Sequence, residues 1–304
     1  MPELPEVETI ARQLRDLVVG RRVAAFESFW HRVTEPVPAA HFATRLAGRE
    51  ITGVGRRGKF IVLELDGGEA LIVSLRMTGK LLFREPGSAE DTFVRAVIGF
   101  ADGTALRFSD TRKFGRMAIV DRADLVEDGD RGASPPEDPR RARLPLHRVL
   151  GIEPLSPRFT TRWLRDFLQL RGRSAIKPLL LDQRGIAGVG NIYDIEALWR
   201  ARIHPLRTAG SLRAGEIARL RAALRFVLRK GIRLGGASRR DYVDARGGQG
   251  RMQREFMVYD RAGEPCPRCG RAIVRTVVGG RGTFHCPRCQ KAPATRVGRR
   301  RRAG

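Results

Sequence analysis

Apolar positions recur along this chain at two different periods, and the places where the period changes mark its parts. Val7, Ile10, Ala11, Leu14, Leu17 and Val18 fall at helical spacing, with Arg12, Arg15 and Asp16 outside the stripe. This predicts one amphipathic helix over residues 3–19, stopped by Gly20. From about Arg22 to Val120 the period shortens to that of strands, in runs over 60–65, 70–75, 94–100 and 106–108. Turn signals such as Asp66-Gly67-Gly68 and Asp102-Gly103 separate them, and closely spaced hairpins of this kind predict an antiparallel sandwich.

The pattern then breaks. Ser134-Pro135-Pro136-Glu137-Asp138-Pro139 and the arginines behind it cannot bury much, so an interdomain linker is expected. The helical period returns over 162–170, 175–181, 191–201 and 212–234, the last with Ile217, Leu220, Leu224, Val227 and Leu228 as its buried stripe. Residues 235–250, rich in Gly and Arg, read as a mobile loop, and Arg299-Arg300-Arg301-Arg302 as part of a disordered basic tail. The fold class expected is α+β. Its parts are an N-terminal antiparallel β-sandwich domain flanked by helices (1–127), a linker (128–155), a helical domain (156–234), a loop (235–256), a hairpin segment (257–290) and the tail (291–304).

Charge narrows the partner. Among 304 residues, 58 are Lys or Arg and 33 are Asp or Glu, a net charge of +25 spread along the whole chain. A biased genome can exchange Lys for Arg, but it does not create this imbalance over acids. A polyanion is implied, with double-stranded nucleic acid first because arginine pairs bidentately with phosphate. No run approaches the roughly 18 apolar residues of a membrane span, and the N-terminus lacks a charged-then-apolar leader. The expectation is a soluble, cytoplasmic monomer with no membrane partner. Disulfides are not expected in that reducing setting.

The cysteines have a better explanation. Cys266-Pro-Arg-Cys269 and Cys286-Pro-Arg-Cys289 are two CxxC knuckles separated by sixteen residues with a β-rich spacer, the spacing of one structural, four-thiolate zinc site. Arg268, Arg271, Arg275, Arg281 and Arg288 surround it, as suits a finger lying on phosphates.

Three further segments carry chemistry but admit two readings each. Removal of Met1 would expose Pro2 as a secondary α-amine, neutral and nucleophilic in part near neutral pH, with Glu3 and Glu6 close by to move protons. Pro and Glu equally suit a first helical turn. The run Gly185-Ile186-Ala187-Gly188-Val189-Gly190-Asn191 would let backbone approach a phosphate at a helix start, or is a glycine-rich turn with an Asn cap. Met77 and Phe114 stand on hairpin tips beside Arg76 and Arg112, as wedges into a base stack or as core.

Together these pieces resemble the bacterial formamidopyrimidine-DNA glycosylase family, the helix–two-turn–helix base-excision enzymes. The likeness runs nearly end to end: PELPEVET, RRGKF around Lys59, LRMTG around Met77, DTRKFG around Arg112, LGIEPLS, KPLLLDQRGIAGVGNIY and the CxxC pair. The resemblance implies that Pro2 attacks the deoxyribose C1′ of a flipped, damaged nucleotide and forms a Schiff base. Glu3 is then the acid/base carboxylate, Glu6 supports the site, and Lys59 holds a phosphate beside the lesion. Met77, Arg112 and Phe114 fill the void, with Arg112 facing the orphaned cytosine. Asn191 and Arg281 clamp phosphates. Strand cleavage follows by β,δ-elimination, and the loop at 235–256 caps the lesion.

The substrate class implied is oxidised purine, 8-oxoguanine or formamidopyrimidine, in damaged double-stranded DNA. The alternatives are the endonuclease VIII type, which prefers oxidised pyrimidines, and a non-catalytic zinc-finger binder of damaged DNA. This chain departs from the family pattern in Ile152 where proline is usual, in a long proline-rich linker, in the tail after Lys291, and in the arginine-rich loop 235–253.

Overall fold

A computed structural model describes residues 1–125, 150–239 and 241–293. Most of the expected linker, Arg240 and the tail from residue 294 lie outside the described residues.

The first helix, α1 (Leu4–Val18), has Pro5 in its first turn and buries Leu4, Val7, Ile10, Ala11, Leu14 and Val18. Nine further α-helices and strands follow before the linker: β1 (Val23–Ser28), α2 (Ala39–Leu46), β2 (Ile51–Arg57), β3 (Phe60–Leu65), β4 (Glu69–Ser74), β5 (Lys80–Arg84), β6 (Val94–Phe100), β7 (Ala105–Ser109) and β8 (Arg116–Asp121), with 3-10 turns at His31–Val33, Asp66–Gly68 and Arg122–Leu125. The strands form two four-stranded antiparallel sheets, in the orders β1-β6-β7-β5 and β2-β3-β4-β8. The stripe of α1 joins inward residues of both sheets, among them Val54, Ile61, Leu63, Phe83, Ile98 and Phe108, in one core. Helix α2 was not foreseen, because it buries only Phe42 and Leu46, too short a stripe to show a period.

The helical part holds α3 (Thr161–Leu170), α4 (Ile176–Leu181), α5 (Asn191–Ala201) and α6 (Ala214–Arg233), followed by the hairpin β9 (Val274–Val278) and β10 (Arg281–His285). Thr160 caps α3 by accepting the Trp163 N–H at 3.0 Å. The α+β class, with antiparallel sheets first and helices and a cysteine hairpin after, is as the sequence implies.

Two compact units result, and they do not follow the order of the chain. One comprises residues 1–159, 182–190 and 225–255; the other comprises 160–181, 191–224 and 256–304. The segments 182–190 and 225–255 join the first because they close on the start of α1. Leu4 N donates to Gly188 O at 3.0 Å, and Ala237 N donates to Glu6 Oε1 at 2.8 Å.

Candidate active site and nucleic-acid interface

Pro2, Glu3 and Glu6 are buried, while Met1 above them is 54% exposed. Glu3 and Glu6 lock the start of α1 as a reciprocal cap: the Glu3 side chain accepts from the third helical N–H, and Glu6 Oε2 accepts the Glu3 N–H at 2.8 Å. The helix-start reading of these residues therefore holds, and the same cap fixes the two carboxylates next to Pro2.

The glycines of the GIAGVG run make room for the side chains at the start of α1. A Cβ on Gly190 would stand 2.2 Å from Glu3 Cδ, and one on Gly188, whose φ is +83°, 2.8 Å from Leu4 Cβ. Gln183 braces the run by donating to Val189 O and accepting from Gly188 N, both at 2.8 Å. On the other side Gly236 (φ +82°) leaves room for Glu6, where a Cβ would meet Cγ at 2.8 Å. The Tyr242 hydroxyl donates to Gly235 O at 3.1 Å and reaches Glu6 O at 3.4 Å. Burial first, then the Glu6 and Asp244 carboxylates, push the Tyr242 phenol far above its usual range, so it stays a donor.

The segment expected to be a mobile loop is thus packed over much of its length. Tyr242 and Ala245 join the sandwich core, Phe83 N donates to Ala245 O at 2.8 Å, and Gln13 receives Ala245 N at 2.9 Å while donating to Asp244 Oδ2 at 3.0 Å.

Lys59 sits with Gly58 in the two-residue turn between β2 and β3, half-buried. One carboxylate, Glu153 of LGIEPLS, fastens that turn: it accepts Gly58 N at 2.6 Å, Arg57 at 3.0 Å and Arg56 at 2.7 Å. Arg56 also reaches Glu8 at 2.8 Å. Burial would raise the Glu8 carboxyl, but Arg12 and Arg56 outweigh it and hold it below the usual carboxylate range. Glu153 was not singled out from the sequence, because a lone acid before a proline carries no spacing signal.

Met77 and Phe114 are 41% and 47% exposed, so neither is core. The Arg112 guanidinium lies 4.8 Å from the centroid of the Phe114 ring. Asp110, only 1% exposed, ties the two turns: it accepts the Thr78 hydroxyl at 2.5 Å, Arg112 N at 3.1 Å and Gly115 N at 2.7 Å. Gly115 is required there, because a Cβ would fall 2.2 Å from Phe108 Cζ. The Asx pattern of Asp110-Thr111-Arg112 was a usable clue to this clamp.

In the second unit Asn191 opens α5 and is held at both ends, accepting from Lys177 Nζ at 2.5 Å and donating to Gly282 O at 3.0 Å. That bond brings Asn191 beside Arg281, which is exposed at the start of β10. Lys177 is wholly buried, 3.4 Å from the equally buried Asp194. A lysine inside Ile176-Lys177-Pro178-Leu179-Leu180-Leu181 was the signal for it.

The Sγ atoms of Cys266, Cys269, Cys286 and Cys289 lie within 4.8 Å of one another. Zinc–sulfur bonds of about 2.3 Å in a tetrahedron set sulfurs about 3.8 Å apart, so the donor set and its spacing fit one zinc ion. Burial opposes it, yet the Trp199 indole and the knuckle's own N–H groups bring the Cys266 thiol down to about 7. Burial and then the neighbouring sulfurs push Cys289 up to about 12, a crowding that a cation relieves by taking all four as thiolates. Ile195 and Trp199 of α5 pack with Val258, Ile273 and Phe284 around Cys266 and Cys286. Arg268, expected to face phosphates, is instead stacked 4.2 Å over Trp199 and donates to its carbonyl at 3.0 Å.

A sandwich that seats the N-terminal residues among buried carboxylates, with a helical unit and a four-cysteine hairpin, is the architecture that the resemblance to the helix–two-turn–helix class implies. Three family descriptions match the chain: the formamidopyrimidine-DNA glycosylase N-terminal domain over residues 1–117, its H2TH domain over 150–243, and the zinc finger found in FPG and IleRS over 263–292. The formamidopyrimidine-DNA glycosylase of Roseiflexus sp. is 46% identical over 96% of this chain and 100% of its own. That of Chloroflexus aurantiacus is 45% identical over 95% and 98%. Among solved structures, a Lactococcus lactis variant in complex with a Fapy-dG-containing DNA has a TM-score of 0.83 and 35% identity, covering 96% of this chain and 100% of that one. The Lactococcus lactis enzyme with an abasic-site DNA has the same TM-score at 34% identity, covering 95% and 100%. The chain belongs to the formamidopyrimidine-DNA glycosylase family.

Proposed function

We propose that this protein is a bifunctional glycosylase and abasic-site lyase that removes oxidised purines, 8-oxoguanine and formamidopyrimidines, from duplex DNA. One observation carries the reading: the carboxylates beside Pro2 are locked by the helix cap, and glycines clear the space that Glu3 and Glu6 occupy.

Once Met1 is removed, the lone pair of Pro2 N attacks C1′. The bond from C1′ to the base breaks, its electrons leave with the base, and Glu3 supplies or relays the proton. Ring opening of the sugar gives an iminium at C1′. That cation acidifies C2′, so a proton is lost there and the 3′-phosphate departs; a second elimination expels the 5′-phosphate. Water hydrolyses the remaining imine and returns Pro2. Lys59 is assigned a phosphate next to the lesion, and Asn191 and Arg281 further phosphates. Met77, Arg112 and Phe114 occupy the gap, a role that suits their exposure. Glu6, bonded to both Glu3 N and Ala237 N, holds the site in shape. The zinc site supplies a folded finger. The purine preference rests on Pro2-Glu3-Leu4-Pro5 and on the intact set of Met77, Arg112 and Phe114. The protein is taken to act as a cytoplasmic monomer; among the described residues, no helix is long and apolar enough to cross a membrane.

Borohydride reduction of the protein with abasic or 8-oxoguanine duplex tests this reading. The expected product is a covalent adduct on the N-terminal peptide that Pro2→Gly largely removes and that a tag ahead of Pro2 abolishes. An adduct mapping to a lysine overturns the assignment.

A further inference from the structure

Arg56-Arg57-Gly58-Lys59 places three cations within four residues, yet the fold turns two of them inward. The side chains of Arg56 and Arg57 are only 9% and 13% exposed. Arg57 gives its guanidinium to Glu153 Oε1 at 3.0 Å and to the carbonyls of Leu150 and Gly151 at 2.9 and 2.7 Å. Arg56 is shared between Glu8 and Glu153 Oε2. Glu153 also governs the backbone from which Lys59 departs. Register pairs Arg57 with Phe60, so Gly58 and Lys59 make the turn, with Gly58 at a φ of +57°. The Gly58 N–H goes to Glu153 at 2.6 Å, and its C=O accepts from Arg56 at 3.3 Å, the same guanidinium that Glu153 holds at 2.7 Å. Both peptide groups of Gly58 therefore answer to one carboxylate.

The segment that carries Glu153 is itself tied to the GIAGVG run. Gly151 N donates to Gln183 O at 2.8 Å, Ile152 N to Gly185 O at 3.0 Å, and Ala187 N to Ile152 O at 2.9 Å. Ile152 is bridged in parallel with Ile186, two residues before the Gly188 whose carbonyl receives Leu4 N. Residues 150–153 thus reach from the Lys59 turn to the run that makes room for Glu3.

We propose that Glu153 is a positioning residue for the reaction: it keeps Arg56 and Arg57 turned inward, fixes the Gly58 peptide, and thereby sets the point at which Lys59 meets the phosphate beside the lesion. The inference rests on the phosphate assignment of Lys59 made above. Glu153 acts through Lys59 and not on the reacting atoms. Through residues 185–188 the same segment keeps that point in a fixed relation to the start of α1, where Pro2 and Glu3 stand.

Two variants test this role. Glu153→Asp withdraws the carboxylate by about 1.5 Å, one carbon–carbon bond, which takes Gly58 N out of hydrogen-bonding range. Glu153→Gln keeps the length but sets an amide NH2 against a donor, because both carboxylate oxygens accept here. The Asp variant leaves both guanidiniums compensated, so it decides the matter where the Gln variant does not fold. Fluorescence anisotropy measures binding to a duplex with a tetrahydrofuran abasic analogue over a series of salt concentrations. Each phosphate contact contributes about 0.9 to the slope of log affinity against log salt. Lys59→Met and each Glu153 variant are expected to lower that slope by about 0.9, and Lys59→Met combined with either to lower it no further. In Glu153→Gln the direction is telling, since removing a negative charge by itself strengthens attraction to DNA. A parental slope in either folded Glu153 variant, with only the melting temperature lowered, makes the carboxylate a brace of the fold and overturns the proposal. A further drop in the double variants overturns it too, and an unchanged slope in Lys59→Met removes the Lys59 assignment and this inference together. Borohydride adduct formation on a true abasic duplex is read in parallel. Slopes as expected without an adduct from the parent sink the lyase reading alone, and an adduct with parental slopes in the Glu153 variants sinks this positioning role alone.

Discussion

Gly190→Ala isolates the placement of Glu3 from the stability of the fold. The added methyl would lie 2.2 Å from Glu3 Cδ and 2.5 Å from both Cγ and Oε1. No real contact is that short, so the Glu3 side chain must swing away by more than an ångström. Glu3 is flexible, and the backbone need not follow. The stability lost is then mainly the helix cap that Glu3 provides, about 1 kcal/mol. A displacement of that size at a reacting centre costs on the order of 10²-fold in rate, about 2.7 kcal/mol of barrier. Gly188→Ala supplies the contrast. There the φ of +83° and the buried Leu4 side chain act together, so roughly 2–4 kcal/mol of stability should go. Single-turnover excision of 8-oxoguanine, beside thermal melts of both variants, separates the two. If Gly190→Ala excises at the parent rate, Glu3 does not work from where the structure holds it.

Three other outcomes follow from the same geometry. Cys→Ser at any of Cys266, Cys269, Cys286 or Cys289 should abolish the single equivalent of zinc and unfold the finger; zinc found at full occupancy by elemental analysis would contradict the site. Asp110→Ala releases three donors from a buried carboxylate, at about 1.5–3 kcal/mol for each charge-assisted bond, and should depress cleavage of duplex lesions far more than of pre-formed abasic sites. Glu8, whose folded pKa is lowered, contributes stability above its unfolded value near 4.5 that fades as pH falls through the folded one. The melting-temperature gap between the parent and Glu8→Gln should therefore narrow from pH 6 toward about pH 3, and a gap independent of pH would deny Glu8 this role.

The helices α1, α3, α4, α5 and α6 were legible because each carries a long stripe at one period, and the cysteine hairpin because ligand spacing is local chemistry. What the sequence could not show was partnership across distance. Gly188 and Gly190 read as phosphate-approaching glycines or as a glycine-rich turn, because their neighbours along the chain allow both; the side chains they make room for, Leu4 and Glu3, are remote in sequence. Glu153 was invisible for the same reason: a single charge has no period, and its meaning comes from Gly58 and Arg56. For Met77 and Phe114, exposure sets aside the core reading, which the local sequence favours.

The site around Glu6 also has a history in time. Its groups come from the first residues of the chain and from Tyr242, a separation of 236 positions. At ribosomal rates of about 5–20 residues per second, roughly 12–47 s pass between synthesis of the first carboxylate and of the hydroxyl that reaches its backbone. For most of that interval the nascent sandwich carries Glu3 without Gly190, and for nearly all of it Glu6 without Ala237. A product of early termination would carry Pro2 without these contacts. On the function proposed above, the Pro2 amine would therefore gain its full setting only near the end of synthesis.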